Sequence, residues 1–322
     1  MRVAELAISA DGVRKTYRGA QTPALDGFDL QVPRGTVCGL LGPNGAGKTT
    51  AVRILATLMR LDAGRALVAG HDVTTRAAQV RQRIGLVGQY TAVDEILSGR
   101  QNLVLFGRLN HLGKARAATR ADALLERFGL AEAGGKPVAK YSGGMRRRLD
   151  LATSLIVSPE VLFVDEPTTG LDPQGRQEVW SALRELVAGG TTILLTTQYL
   201  EEADQLAGRI AMLWHGRVVS EGTPDELKAA IGDDWIDLAF ADAEQACRAL
   251  PAVALHADGE PRFEQHRISV PVRQRTRALI AISTALAAEG IEPVEVNLRR
   301  PTLDEVFLDL HRKQGDKQEV AA

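Results

Sequence analysis

The chain has 322 residues, 45% of them hydrophobic and 25% charged, with a formal net charge of −1 at pH 7. That balance fits a globular protein with a large core and excludes a collagenous, disordered or disulfide-scaffold chain. No net basic field points to nucleic acid, and no apolar run approaches the ~18 residues of a bilayer-spanning helix, so a membrane role requires a separate partner chain.

The first 30 residues alternate apolar and polar: AISADGVRKTY and ALDGFDLQVPRG, joined by a turn-rich link, predict antiparallel strands. The stretch MRVAELAISADG carries Glu5 and no long apolar segment, so no signal peptide is expected. TVCGLLG is a short apolar run ending in glycine; PNGAGKTT follows, and AVRILATLMRL then has helical spacing, a strand–loop–helix order. ALVAGHDV and RIGLVGQ predict two further short strands. From about Val93 to Ser158 the pattern is helical, with amphipathic stretches such as ARAATRADALLERFGL. VLFVDEP predicts a buried strand and GRQEVWSALRELVAGG a helix; TTILLTT, LEEADQLA, RIAMLWHG and RVVSEGT complete the alternation. Strands alternating with helices predict a parallel sheet covered on both faces.

Residues 5–230 read as one unit and 231–312 as a second. In the second, WIDLAF predicts a strand, AEQACRAL a helix, VALHA and RISVPV two strands, TRALIAISTALAAEG a helix with Leu279, Ile282 and Leu286 on one face, and PVEVNL a strand. The order β-α-β-β-α-β is the split, ferredoxin-like pattern. RRPTLDEVFLDLHRK predicts a last helix, capped by Thr302 with Glu305 three residues on and Leu303, Val306, Phe307 and Leu310 apolar; 313–322 read as a tail. The two cysteines, Cys38 and Cys247, fit no metal spacing and point to a reducing compartment, both thiols buried and inert.

Three motifs carry chemistry. Gly42, Pro43, Asn44, Gly45, Ala46, Gly47, Lys48, Thr49 and Thr50 fit the phosphate-loop pattern with a strand before and a helix after. Such glycines let backbone N–H groups wrap a β-phosphate at a helix N-terminus. Lys48 would reach the β- and γ-phosphates and the Thr49 hydroxyl would ligate Mg²⁺. In Val161–Glu166 two acids end an apolar strand, where a buried carboxylate needs a counter-ion: Asp165 would hold Mg²⁺ and Glu166 would act as general base on water. Third, Ser142, Gly143 and Gly144 open a helix as a second anion site of backbone amides and one hydroxyl, though on its own such a stretch is more often a plain cap. The arginines at 146–148 fit a solvated helix face.

These motifs, in this order over about residues 5–225, resemble the nucleotide-binding subunit of ABC transporters. The resemblance implies an α/β phosphate-loop ATPase cassette: a mixed-sheet core, an antiparallel β subdomain and a helical subdomain near 93–158, here followed by the small α+β domain. It makes YSGGM (141–145) the signature sequence, TTGLDP (168–173) the dimer-contact loop with Asp172 as contact residue, Gln89 the glutamine at the lid junction and near the metal, and Tyr17 the aromatic on adenine. GQYTAVDE, YSGGMRRRLD, TTQYLEEAD and RRPTLDEVF further resemble the daunorubicin-resistance-type drug-export ATPases of actinobacteria. The resemblance implies ATP and Mg²⁺ as cofactors, a head-to-tail dimer with two ATP at the interface, a separate membrane permease, a place at the cytoplasmic face of the membrane, and a hydrophobic drug or lipid as cargo. A non-transport ABC ATPase, acting in translation or as a nucleotide-gated regulator, is the alternative. For the second unit a dimer prop, a ligand site and a brace all stay open. Three positions depart from the family: Met145 and Tyr141 replace the signature's glutamine and leucine, and Gln198 stands where most members have a histidine that senses the γ-phosphate. A carboxamide donates and accepts hydrogen bonds there but carries no proton.

Overall fold

A computed structural model of the chain describes residues 5–88, 91–230 and 234–307. It divides into two compact units, residues 1–223 and 224–322.

The first unit runs β1 (Leu6–Lys15), β2 (Leu25–Pro33), β3 (Val37–Leu41), α1 (Lys48–Leu55), β4 (Ala63–Val68), β5 (His71–Asp72), α2 (Ala77–Arg81), β6 (Ile84–Val87), α3 (Gly99–Leu109) and α4 (Lys114–Arg127). A 3₁₀ turn (Val138–Lys140) follows, then α5 (Gly143–Ser154), β7 (Val161–Asp165), α6 (Pro173–Ala188), β8 (Thr192–Thr197), α7 (Leu200–Leu206), β9 (Arg209–Trp214) and β10 (Arg217–Gly222).

Two sheets form. The first, in the order β2-β1-β4-β5, is antiparallel and keeps the alternating burial that a sheet with one wet face produces. The second has the order β10-β9-β3-β8-β7-β6. Its strands β3, β7 and β8 are buried at every residue, which is why their sequences are unbroken apolar or threonine runs rather than alternating ones. The sheet is parallel from β9 to β6, but β10 pairs antiparallel with β9, so it is the mixed sheet that the resemblance implies rather than the parallel sheet that alternation alone predicts. His215 and Gly216 alone connect the two strands, with φ of 46° and 76°. Two successive positive φ values make a tight hairpin turn, and so short a connection has no room for the crossover a parallel partner needs.

Registers within this sheet position the candidate site. Leu41 of β3 lies beside Thr197 of β8, and Thr196 lies beside Asp165 of β7. Three parallel strands therefore end together, and the loops that leave them bring Gly42, Gln198 and Glu166 to one edge. Ligands of open α/β sheets bind at such carboxyl ends. The core beneath, including Leu25, Phe28, Leu40, Ile54 and Phe163, is essentially water-free; each such side chain contributes about 1.5–3 kcal/mol by burial. Helices α3, α4 and α5 form the helical subdomain. A capping box starts α3: Ser98 accepts from the Gln101 N–H and the Gln101 side chain accepts from the Ser98 N–H.

The second unit contains α8 (Pro224–Ala230), β11 (Asp234–Ala239), α9 (Ala243–Ala254), β12 (Arg262–Glu264), β13 (Arg267–Val272), α10 (Arg275–Ala288) and β14 (Glu295–Arg299). Its sheet, β12-β13-β11-β14, is antiparallel throughout, the ferredoxin-like arrangement. Ile236, Leu238, Val270, Ile282 and Leu286 pack between sheet and helices, with Leu279 at the margin.

Two expectations change here. VALHA is not a strand: Ala246, Ala249 and Val253 sit at helical spacing on the buried face of α9, so the helix runs to Ala254 and the strand begins at Arg262. The same helix leaves Cys247 exposed on its opposite face. Cys38 is buried in β3, and burial pushes its thiol up to about 12, which makes it inert. The Thr302–Glu305 capping box forms, with the Thr302 N–H donating to Glu305 Oε2 at 3.0 Å and the Glu305 N–H to Thr302 Oγ1 at 3.3 Å. Leu310 lies outside the described residues.

Candidate active site

Loop 42–47 leaves β3 and turns directly into α1. Gly47 has φ 110°, and a Cβ there would lie 2.4 Å from the Ala24 carbonyl oxygen; a Cβ at Gly42 would lie 2.4 Å from that of Leu213. Both positions thus require glycine for reasons of backbone approach. No side chain caps α1, so its first N–H groups are available to an anion. Lys48 is buried, and its ammonium donates to the Gly42 carbonyl at 2.7 Å and the Pro43 carbonyl at 3.1 Å. Its Nζ also lies 4.0 Å from Glu166 Oε1. Burial pulls the Lys48 pKa down, and the Glu166 and Asp165 charges oppose that pull. The loop therefore holds a desolvated cation aimed at its own carbonyls, ready to exchange them for a stronger anion.

Asp165 ends β7 fully buried. Its Oδ1 accepts a short hydrogen bond from Thr196 Oγ1, and its Oδ2 accepts from Thr49 Oγ1 at 3.3 Å. The Thr49–Asp165 pair offers two hard oxygens side by side beneath the phosphate loop, a donor set that fits Mg²⁺, which commonly takes one or two carboxylates and completes its shell with phosphate and water. Glu166 is the next residue, and its backbone is left-handed at φ 48°. Such a conformation costs on the order of 1–3 kcal/mol for a residue with a Cβ and collects at working sites. It is held by the Glu166 N–H donating to the Thr196 carbonyl at 3.0 Å, which turns the side chain back toward Lys48. Gln198 follows β8 at the same edge and is partly exposed. Tyr17, 41% exposed, lies 3.1 Å through its hydroxyl from Thr50 Oγ1, beside the loop. Gln89 lies outside the described residues.

The Ser142 and Asp172 motifs meet elsewhere. Ser142 caps α5 through its hydroxyl, which accepts from the Met145 N–H at 3.2 Å, and Asp172 caps α6, accepting from the Gly175 N–H at 2.7 Å. Ser142, Gly143, Gly144, Gly170 and Asp172 line a shared hollow of about 360 Å³. No residue of the 42–50 loop lines it. The two groups of motif residues thus lie in two places.

A family model described as ABC transporter matches residues 25–169. The daunorubicin resistance ATP-binding protein DrrA3 of Streptomyces coeruleorubidus is 60% identical over 99% of both chains. This chain belongs to the ABC transporter family. The Nod factor export ATP-binding protein I of Ralstonia nicotianae is 41% identical over 94% of this chain and 93% of its own. Among solved structures, cbiO1 of Clostridium perfringens, part of the ABC transporter complex cbiONQ, is 29% identical with a TM-score of 0.65, covering 70% of this chain and 91% of that one. The ABC cassette is an ATPase, and the protein is the ATP-hydrolysing subunit of a transporter. Among the described residues no helix is long and apolar enough to cross a membrane.

Within the ABC cassette one departure from the usual signature, Tyr141, has a structural reason. Tyr141 is buried, and its hydroxyl donates to the Ala133 carbonyl at 2.8 Å. It fits because residue 99 is glycine: a Cβ there would come 2.3 Å from the Tyr141 hydroxyl oxygen. Tyrosine thus ties the signature to the segment after α4 where leucine would only pack. Tyr141→Phe removes this bond while the Ala133 carbonyl keeps the Lys136 N–H at 2.8 Å, so about 0.5–1.5 kcal/mol of stability should be lost, read as a lower midpoint in urea denaturation.

Arg147 corrects the solvated-face expectation for 146–148. It is 5% exposed. Its guanidinium donates to the carbonyls of Pro167 (2.8 Å), Gly88 (2.7 Å) and Asp165 (3.2 Å) and to Asp150 Oδ2 (3.3 Å). Glu202, the second glutamate after Gln198, is likewise buried and accepts from Thr168 Oγ1 at 2.8 Å and Trp180 Nε1 at 3.1 Å, tying α7 to the loop after β7. Burial pushes the Glu202 carboxyl pKa up. Sequence reading missed both, since a charge run on a helix and an acid in a first turn normally face water. The one available signal was Asp150, an acid three residues after Arg147 in an otherwise apolar stretch.

Proposed function

We propose that this ABC ATPase drives export of a hydrophobic drug or lipid through a separate membrane permease, working as a head-to-tail pair of copies with two ATP molecules at their interface. The observation that carries it is the separation of the two half-sites. Gly42–Thr50 with Asp165 and Glu166 can hold a nucleotide and a water but close over neither. The hollow of Ser142–Gly144 offers helix-terminal amides and a hydroxyl with no phosphate donor of its own. A second copy supplies what each lacks.

In this reading the loop amides and Lys48 bind the β- and γ-phosphates, and Tyr17 lies under the adenine. Thr49 and Asp165 would hold Mg²⁺, with Gln89 as a further ligand; the ion supplies positive charge against the phosphates. Glu166 takes the proton of the attacking water. Gln198 donates a hydrogen bond to the γ-phosphate, and Asp172 lines the junction with the partner's signature. Hydrolysis removes the phosphate that bridges the copies, and the pair opens. The permease holds the chain at the cytoplasmic face of the membrane, and the permease, not the cassette, selects the cargo. In support, relatives named for daunorubicin resistance and for Nod factor export share this chain over nearly its full length.

A mixed dimer tests the proposal. Lys48→Met disables one phosphate loop; Gly143→Asp places a carboxylate where the γ-phosphate would sit, and Gly143 has room for it, since a Cβ meets only Leu171 at 3.4 Å. Each variant alone should be inactive. Mixed, they should regain a substantial part of wild-type ATPase activity, because one site then has an intact loop and an intact signature. Two dead variants that stay dead together would remove the head-to-tail site.

Gln198 makes a separate expectation. With a carboxamide at the sensor position, hydrolysis should show no histidine-like inflection near pH 6.5. Gln198→His should introduce one, seen in kcat measured from pH 5.5 to 8.5.

A further inference from the structure

Arg147 joins segments that, on the two-copy reading above, serve different ATP molecules. Its own helix α5 starts at the signature, which faces the partner's nucleotide. Its hydrogen bonds end on the carbonyls of Asp165 at 3.2 Å and Pro167 at 2.8 Å, the residues on either side of Glu166. A third bond reaches the carbonyl of Gly88 at 2.7 Å, the residue before Gln89. Asp150, one turn along α5, accepts from the Ala92 N–H at 3.0 Å, beyond Gln89, and pairs with Arg147 at 3.3 Å. The pair grips both flanks of the segment that holds Gln89.

We propose that Arg147, with Asp150, is the positioning strut that passes the occupancy of one ATP site to the other. The inference rests on the two-copy reading of the function. The guanidinium is planar and its donors are fixed relative to one another, so α5 cannot shift against the end of β7 without breaking several hydrogen bonds at once. A movement of the signature helix on capturing the partner's ATP therefore drags the backbone that carries Glu166, which is already in a left-handed conformation with few alternatives. The same shift pulls on Gly88 and Ala92. Packing alone does not require this device, because replacing a buried ion pair with apolar side chains of similar volume is often neutral for stability. Such side chains would fill the space but hold none of the three carbonyls.

The test uses the full chain and the double variant Arg147→Met/Asp150→Leu, which leaves no unpaired buried charge. ATPase rate against ATP concentration should give wild type a Hill coefficient between 1 and 2. The variant should fold, with a lower melting temperature because three carbonyls lose a donor, and keep its affinity for a fluorescent ATP analogue, while the Hill coefficient falls to 1 and kcat falls by about tenfold, within the usual range of site-to-site coupling. A folded variant that keeps wild-type cooperativity and turnover would overturn the strut. If the double variant fails to fold, Arg147→Lys decides: it keeps the charge but offers a point donor in place of a fork, and wild-type cooperativity in it overturns the proposal equally. A wild-type Hill coefficient of 1 would overturn the strut alone, since two sites can be shared without being coupled; the mixed-dimer experiment tests the two-copy reading on its own.

Discussion

Glu166→Gln should lower ATP turnover by about 10²–10⁴-fold, the usual worth of a positioned general base, and leave ATP binding in place. Glutamine has the same shape, so the left-handed turn after β7 and the Thr196 contact have no reason to change. What it lacks is a lone pair basic enough to take a proton from water. ATP should then be held rather than consumed, and the two-copy complex should persist. Sedimentation velocity with ATP and with ADP would show a dimer only in the first case, and single-turnover kinetics would show the slow step to be chemistry. The substitution has a second effect with a definite sign. The Glu166 charge opposes the downward pull of burial on Lys48, so without it Lys48 loses its proton at a lower pH. Nucleotide affinity of the variant should accordingly weaken earlier than that of wild type as pH rises. Unchanged turnover in Glu166→Gln would move the base elsewhere.

Lys48→Met should abolish hydrolysis and weaken ATP binding by roughly 10–150-fold, the equivalent of the ~1.5–3 kcal/mol typical of a hydrogen bond to a charged group. Methionine fills the same channel, so the core contacts of α1 survive. Two carbonyls, Gly42 and Pro43, lose the ammonium that holds them at 2.7 and 3.1 Å. The loop must then find its shape without an internal cation, and the phosphates meet only neutral amides. Equilibrium titration with a fluorescent nucleotide separates this loss from the catalytic one. An affinity within threefold of wild type would mean that the amides and the helix terminus alone carry binding.

The phosphate loop, the acidic strand end and the signature were legible because their chemistry is local. A glycine that lets the backbone come within 2.4 Å of a neighbouring chain segment, or a lysine one residue into a helix, is specified by its immediate neighbours in the sequence. The ferredoxin-like order of the second unit was legible for a similar reason, since each strand and helix carries its own period. The strand misplaced at VALHA failed at that level: five apolar-rich residues fit a strand or the end of a helix, and the continuing contacts of Val253 with the core made it helix. The antiparallel edge at β10 depended on a two-residue turn that alternation alone does not reveal.

The amino-acid sequence by itself determined where a glycine loop turns from strand into helix, which acids end an apolar strand, and that no bilayer-spanning run accompanies them. Only the tertiary structure decided what joins these parts. Arg147 and Glu202 look like solvated charges in the chain order, and they are buried because strands β6 and β7, far apart in sequence, end side by side and, with Trp180 of α6, present carbonyl, hydroxyl and indole groups that a long polar side chain can reach. Such partners are non-local by nature. A side chain's hydrogen bonds depend on which backbone atoms the fold leaves facing it, and no pattern within a helix records that.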